Sequence, residues 1–425
     1  MTRTLMIAAP TSGAGKTTVT LALLRALGKR GVEARAAKSG PDYIDPQFHA
    51  AASGAPSVNL DAWAMGPGAI RSLAAGQGGE LLLVEAAMGL LDGAPDGRGS
   101  AADLAAILGA PVVMVIDAAK QARSAVLPLA GARALRPDLT IAGVILNRVG
   151  SERHARIARQ AVEAEGFFVF GCIPRDAALE TPSRHLGLVQ AAERPDLEAF
   201  IAGAARIIAK HVDVDALMAA AGTLLSGGEP SHIPPLGQRI AVARDEAFAF
   251  AYPHLLSGWR EAGAEISLFS PLADEGPKAD VDAVFLPGGY PELHAGHLAA
   301  ASNFRGKVRK AAQGAMIYGE CGGYMALGDR LVDADGASHP MLGLLPHATS
   351  FAARKLTLGY RRLMPLGGPF MTPINGHEFH YATIAEEGEA ARLFAAVDAE
   401  GTDLGHMGLA RGRVSGSFAH VIAPG

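Results

Sequence analysis

At 425 residues the chain is too long for one ordinary core, so two domains, or three, are expected, and 49% hydrophobic residues against 19% charged suffice to bury them. A formal net charge of −4 gives no electrostatic pull toward DNA or RNA, so nucleic-acid partners are not expected. Cys172 and Cys321, the only two cysteines, cannot build a disulfide framework, and a reactive thiol needs reducing surroundings; the expected compartment is the cytoplasm.

Residues 4–9 are an apolar β run, and from Thr17 onward the spacing of Val19, Leu23, Leu24 and Leu27 predicts a helix that stops near Gly28 and Gly31. Between them, Pro10-Thr11-Ser12-Gly13-Ala14-Gly15-Lys16-Thr17 reads as a phosphate-binding loop. Its glycines let backbone N–H groups wrap phosphates, and the helix N-terminus adds a favourable dipole. ATP is the expected ligand of Gly13, Ala14, Gly15, Lys16, Thr17 and Thr18, with Lys16 on the β- and γ-phosphates and the Thr17 hydroxyl on Mg²⁺. Pro10 replaces the usual first glycine, as in the variant loop of dethiobiotin synthetases and partitioning ATPases. One arginine and a short apolar run precede the loop, so no secretory signal is expected.

After a short Val32–Ala37 segment, the loop Lys38–Pro46 offers a lysine and two acids. Lys38, Tyr43 and Asp45 are expected to face substrate or phosphate, and Asp42 the metal. The run Leu81–Val84 ends in Glu85, a carboxylate at the C-terminal end of a strand, where open α/β sheets bind ligands. Glu85 is therefore the expected second Mg²⁺ ligand, with the glycine-rich Met88–Gly93 following. The most apolar stretch, Leu104 to Ile116, is bounded by aspartates, broken at Gly109-Ala110-Pro111 and well short of the roughly 20 residues of a membrane span, so no membrane partner is expected. Pro111–Ile116 and Ile141–Leu146 are further strands; Asn147, closing the second, is placed either to read an adenine edge or to form a surface turn. Strands separated by helices imply a parallel sheet covered on both faces.

Over 223–238 the chain turns proline- and glycine-rich, and 226–238 is the expected linker between domains at 1–225 and 239–425. A second β/α series follows: Arg239–Ala243, Glu265–Phe269, Ala283–Pro287 and Ala315–Tyr318. The last of these runs into Gly319-Glu320-Cys321-Gly322-Gly323 and the helical Tyr324–Leu327. A nucleophile on a tight strand-to-helix turn is exposed, and the helix N-terminus lowers a thiol's pKa. A structural cysteine more naturally sits inside an apolar run, as Cys172 does. Backbone N–H groups of Gly288 and Gly289, with Gly322, are candidate oxyanion donors. Histidines compete for the role of base. His377-Glu378-Phe379-His380 has its histidines three residues apart, not the four of a zinc-binding helix, which argues against zinc. His420, after glycine-rich turns near the C-terminus, is the other candidate.

In order, Pro10–Thr17, Lys38–Pro46, Glu85–Gly93, Arg184–Leu188, Ala243–Phe248, Pro287–Leu293, Gly319–Gly323 and Gly376–Tyr381 resemble the class I glutamine amidotransferases of corrin biosynthesis. Within these, the resemblance is to the cobyrinic or hydrogenobyrinic acid a,c-diamide synthase family, over essentially the whole chain. Gly40-Pro41-Asp42 stands where the sister cobyric acid synthases carry a different substrate loop. The resemblance implies an α/β protein: an N-terminal P-loop, dethiobiotin-synthetase-like, parallel-sheet domain and a C-terminal flavodoxin-like glutaminase domain. It further implies that Cys321, helped by His420, attacks the glutamine side-chain amide and releases ammonia through a glutamyl thioester. ATP would phosphorylate a carboxylate of a corrin-type tetrapyrrole, and ammonia would displace the phosphate, once at the c and once at the a acetate.

The resemblance implies hydrogenobyrinate or cobyrinate as the macrocycle, with the alanine- and glycine-rich composition favouring the metal-free form. Nickel-sirohydrochlorin is an alternative that calls for the same chemistry. A partitioning-type ATPase switch is the alternative of another class, disfavoured by Thr11 where such proteins carry a signature lysine. A second copy of the chain, in a homodimer, is the remaining expected partner. Many class I glutaminases carry a glutamate two residues after the histidine; here Val421-Ile422 follow His420, so a Cys–His pair is expected.

Overall fold

The computed structural model of the chain describes residues 2–179, 191 and 194–425; the marker Arg184–Leu188 lies outside them. The chain divides into two units, residues 1–230 and 231–425.

In the first unit, Leu5-Met6-Ile7, Leu81–Val84 and Val112–Ile116 are buried throughout. Strands covered on both faces need no polar alternation, which is why these runs read as continuously apolar. The strands are β1 (Arg3–Ala8), β2 (Ala34–Ser39), β3 (Val58–Leu60), β4 (Leu81–Glu85), β5 (Val112–Asp117), β6 (Ile141–Val149), β7 (Val169–Pro174) and β8 (Gly222–Thr223). Their order is β3-β2-β4-β1-β5-β6-β7, all parallel, with β8 antiparallel against the start of β1. Because β4 lies between β1 and β2, its last residue, Glu85, is level with Ile7 on one side and Lys38 on the other. That register gathers a carboxylate, a lysine and the loop after β1 at one end of the sheet. The observed β2 extends past the expected Val32–Ala37, which places Lys38 on the strand instead of in the loop.

In the second unit, β9 (Arg239–Ala243), β10 (Glu265–Phe269), β11 (Ala283–Leu286) and β12 (Met316–Glu320) are parallel in the order β10-β9-β11-β12. Phe285 and Tyr318 stack at 5.9 Å and Trp259 meets Phe285 edge-on at 5.5 Å. This aromatic packing braces the two strands that lead into Gly288 and Cys321. Past β12 the sheet continues through the parallel strand Val414–Ser417, then antiparallel through Asp403–Arg411, Ala391–Val397, Thr357–Pro365, Ile374–His380 and His420–Pro424. The C-terminal segment thereby returns beside the nucleophile turn, and the Cys321 N–H donates to the Ser417 carbonyl at 2.9 Å. Among the described residues, no helix is long and apolar enough to cross a membrane.

Candidate functional site

Gly13 (φ 77°) and Gly15 (φ 95°) turn the chain from β1 into the helix Lys16–Lys29 through left-handed conformations that favour glycine. No side chain caps this helix, so its first-turn N–H groups are left for an anion. Asn147 Nδ2 donates to the carbonyl of buried Ala14 at 2.8 Å, and its Oδ1 accepts from the Arg148 N–H at 2.9 Å. Arg148, itself at φ 58°, donates to the Gly13 carbonyl at 2.8 Å and pairs with Asp117 at 2.6 Å. Asn147 is thus a clamp on the loop, with both ends of its amide engaged by backbone groups. Lys16 is buried and donates to the carbonyls of Met88 and Thr11; burial, then the Lys38 ammonium, lower its pKa. Thr18 donates to the Leu179 carbonyl at 3.4 Å and lines a cleft with Gly15, Asn147, Arg175 and Ile208.

Next to the loop lies a buried polar cluster. Thr17 Oγ1 donates to Glu85 Oε1 at 2.6 Å and reaches Asp45 Oδ2 at 3.5 Å. Lys38 Nζ donates to the same Glu85 oxygen at 2.9 Å and to Asp45. His49 Nε2 lies 2.6 Å from Glu85 Oε2, and its Nδ1 3.2 Å from Ser57 Oγ. Burial alone would push the Glu85 carboxyl up, but the Lys38 ammonium and the His49 hydrogen bond hold it well below the usual range. Burial likewise works against the charge on Lys38, yet Asp45 and Glu85 raise its pKa well above the ordinary value. Asp45 is pushed well up, by burial and by the neighbouring Asp42 carboxylate.

The oxygens of Thr17, Asp45 and Glu85 converge, and hard oxygen donors are what Mg²⁺ selects. Asp42, expected at the metal, has its Oδ1 engaged by the N–H groups of Ile44 at 2.8 Å and Asp45 at 3.1 Å, opening the helix Asp45–Ser53. Asp45, expected to face substrate or phosphate, stands in the cluster instead, because it begins the helix that Asp42 starts. Tyr43 is half-buried between the two acids. His49 was not foreseen. It lies one helical turn after Asp45, and that four-residue spacing next to the Lys38 motif is the signal that could have found it.

In the second unit Cys321 has φ 48° and ψ −108°, a conformation that L-residues rarely adopt. This strained turn joins β12 to the helix Gly322–Leu327, and against the exposure expected there Cys321 is buried, only 5% exposed, because neighbouring turns pack closely around it. The neighbours are packed to contact. A Cβ on Gly322 would lie 3.0 Å from the Gly289 nitrogen; one on Gly288 would overlap His420 Cε1 and lie 3.1 Å from His420 Nε2 and 3.3 Å from Cys321 Cβ. Gly288 is therefore where histidine and cysteine meet, with the backbone nitrogens of Gly289 and Gly322 alongside.

Burial first, then the Glu292 carboxylate, push the Cys321 thiol well above its ordinary pKa, against a lowering by the Gly322 N–H. The sulfur is thus protonated at neutral pH and a base has to take its proton during attack. His420 Nδ1, on the other edge of the ring, lies 3.6 Å from Glu320 Oε2, and Glu320 Oε1 accepts the Val421 N–H at 3.1 Å. This acid, directly before the cysteine, was also not foreseen. His377 pairs with His420 across the sheet; burial, then His420, push its pKa down to about 3, which keeps it neutral. His377 and His380 lie on a strand, where residues three apart face opposite sides.

Gly288→Ala is expected to lower the rate of glutamine hydrolysis by about 10²-fold or more, since a methyl there displaces the His420 ring and an ångström of misplacement costs that much. Release of glutamate from glutamine measures it; a rate within threefold of wild type would mean that Gly288 is not the contact point between base and nucleophile.

A phosphate loop backed by an ionised carboxylate, joined in one chain to a thiol elbow with a histidine, defines an α/β glutamine-hydrolysing amide ligase. Residues 5–189 match the CobQ/CobB/MinD/ParA nucleotide binding domain, and residues 239–425 the CobB/CobQ-like glutamine amidotransferase domain. The chain is similar to proteins named hydrogenobyrinate a,c-diamide synthase: 56% identical over 425 residues to that of Brucella anthropi, 57% over 425 to that of Brucella suis and 56% over 422 to that of Rhizobium meliloti. Each alignment covers 98% of this chain and 98% of the relative. The chain belongs to the hydrogenobyrinate a,c-diamide synthase family.

Proposed function

We propose that the chain converts the a- and c-acetate carboxylates of hydrogenobyrinate to amides in cobalamin biosynthesis, consuming ATP and glutamine. The observation that carries this reading is the pairing of a carboxylate-activating site and an ammonia-generating site in a chain similar, end to end, to synthases of that name. A carboxylate and ammonia alone do not form an amide at a useful rate, because oxide is a poor leaving group. The γ-phosphoryl group of ATP passes to a carboxylate oxygen, giving an acyl phosphate and ADP. Ammonia then attacks the acyl carbon, and phosphate leaves.

Within the first unit, Lys16 and the helix N-terminus hold the phosphates. Thr17, Asp45 and Glu85 would hold Mg²⁺, which when bound neutralises charge on the phosphoryl oxygens. Lys38 and His49 keep Glu85 ionised and fixed, while Asn147 and Arg148 hold the loop. Tyr43 and Asp42 stand at the head of the helix Asp45–Ser53, next to this set.

Within the second unit, the Cys321 sulfur attacks the glutamine amide carbon while its proton passes to His420 Nε2. The developing oxyanion meets the N–H groups of Gly289 and Gly322. The C–N bond breaks, the nitrogen takes the proton from His420, and ammonia leaves. Water, deprotonated by His420, then cleaves the thioester to glutamate and restores the thiol. Thiol chemistry of this kind calls for a reducing compartment such as the cytoplasm.

The test is to compare kcat/KM for hydrogenobyrinate, cobyrinate and nickel-sirohydrochlorin side by side. Hydrogenobyrinate is expected to lead by at least about tenfold, the scale of a modest substrate discrimination. A lead by either metallated macrocycle would reassign the substrate.

A further inference from the structure

We propose that Glu320 is the positioning acid of the glutaminase, holding His420 from its Nδ1 edge while the Nε2 edge serves Cys321; this rests on the glutaminase reading above. The acid missing from the position two residues after the histidine is supplied instead by the residue directly before the nucleophile. Glu320 is 1% exposed, so its carboxylate has no water to solvate it and needs partners. One partner is the N–H of Val421, which binds Oε1 at 3.1 Å. Val421 is the next residue after His420, so the carboxylate is tethered to the backbone that carries the imidazole. The other oxygen, Oε2, lies 3.6 Å from His420 Nδ1, a contact of charges longer than a formed hydrogen bond. When the thiol proton reaches Nε2 the ring becomes cationic, and its Nδ1–H then faces a fixed carboxylate. The opposite ring edge, Cε1 and Nε2, faces Gly288, where an added Cβ would also lie 3.3 Å from Cys321 Cβ. Carboxylate, imidazole and thiol therefore lie in the order in which a hydrolytic triad uses them.

The titratable and charged groups around His420 are few. Cys321 and Glu320 come from the end of β12, and His377, from the neighbouring strand, is neutral. Glu292 and Glu378 act on Cys321, and Arg361 acts on His377 while pairing with Glu378 at 2.6 Å. Tyr318 faces Glu320, and burial and that carboxylate push its phenol well up. A purely structural role for Glu320, as acceptor for the Val421 N–H, is the competing account. Glutamine at 320 would preserve an oxygen for Val421 and lose only the charge.

The experiment compares wild type, Glu320→Gln and Glu320→Asp in the full chain. For Glu320→Gln, kcat for glutamine hydrolysis is expected to fall about 10²–10⁴-fold, the range spanned by loss of a triad's orienting acid, with KM for glutamine little changed. The remaining activity should carry a signature. Only the charge beside His420 is removed, so the loss should fall on kcat, with KM for glutamine and the thermal unfolding midpoint close to wild type. Glu320→Asp, which keeps the charge, should recover part of the lost rate. Amidation driven by ammonium should continue in both variants. A Glu320→Gln enzyme within threefold of wild type overturns the proposal. So does a variant that loses rate together with a raised KM or a lowered unfolding midpoint and no recovery by aspartate, which is the outcome of a structural role. If the wild-type chain itself fails to hydrolyse glutamine, the glutaminase reading falls, and the proposal with it.

Discussion

Cys321→Ala is expected to abolish glutamine-driven amidation while leaving ammonium-driven amidation at the wild-type rate. Loss of a nucleophile that acts together with its base costs on the order of 10⁴- to 10⁶-fold, because what remains is only binding and oxyanion stabilisation. Alanine keeps a Cβ on the strained φ 48° turn, so the packing of Gly288, Gly322 and His420 around it has no reason to change. On the proposed function the acyl phosphate, by contrast, forms at the Lys16, Thr17 and Glu85 set of the other unit, and it should react with ammonia from any source. Assays with glutamine and with an ammonium salt, each with ATP, Mg²⁺ and hydrogenobyrinate, separate the two reactions. Joint loss of both activities would mean that the thiol takes part in amide formation itself, and that the division into two sites is wrong.

Glu85→Gln is expected to give the reverse pattern: amidation lost from either nitrogen source, with basal glutamine hydrolysis retained. Glu85 is fully buried and receives hydrogen bonds from Thr17, Lys38 and His49. Glutamine has nearly the same shape but no charge, so it removes what keeps Lys38 and the phosphoryl-transfer centre electrostatically matched. A fall of at least about 10³-fold is expected, the upper range for removing one preorganised group that stabilises developing charge. Breaking a buried ion pair also destabilises, by about 3–5 kcal/mol, so nucleotide binding and thermal unfolding should be measured alongside. A folded Glu85→Gln enzyme with unchanged amidation would remove Glu85 from the metal and phosphate site.

What could be read from the sequence was whatever the chemistry requires in contiguous residues. The loop Pro10–Thr17 and the turn Gly319–Gly323 are such cases: each needs glycines directly beside one reactive side chain, and local steric rules are enough to recognise both. The links between distant segments were not legible. Lys38 meets Glu85 because β2 and β4 are neighbours in one particular register, and no local pattern encodes that. Glu320 meets His420 because the chain's last strands return beside β12, joining residues about a hundred positions apart. Those strands escaped notice for physical reasons. Val414–Ser417 is polar in sequence yet buried throughout, since it is covered as an interior strand, while Leu358, Met364 and Phe379 are apolar and exposed. Asn147 shows the complementary limit: its amide engages the Ala14 carbonyl, which only the fold brings within reach, whereas Asp42 engages N–H groups two and three residues on.

Nitrogen is expected to leave glutamine at Cys321 and to end in the amide of an activated carboxylate. Mass spectrometry of the product made from hydrogenobyrinate, ATP, Mg²⁺ and glutamine carrying a heavy nitrogen isotope in its side-chain amide tests this directly. The prediction is a diamide labelled at both new nitrogens, formed with one ADP per amide, and no labelled product from the Cys321→Ala enzyme. Unlabelled diamide from the wild type, or labelled diamide from Cys321→Ala, would contradict it.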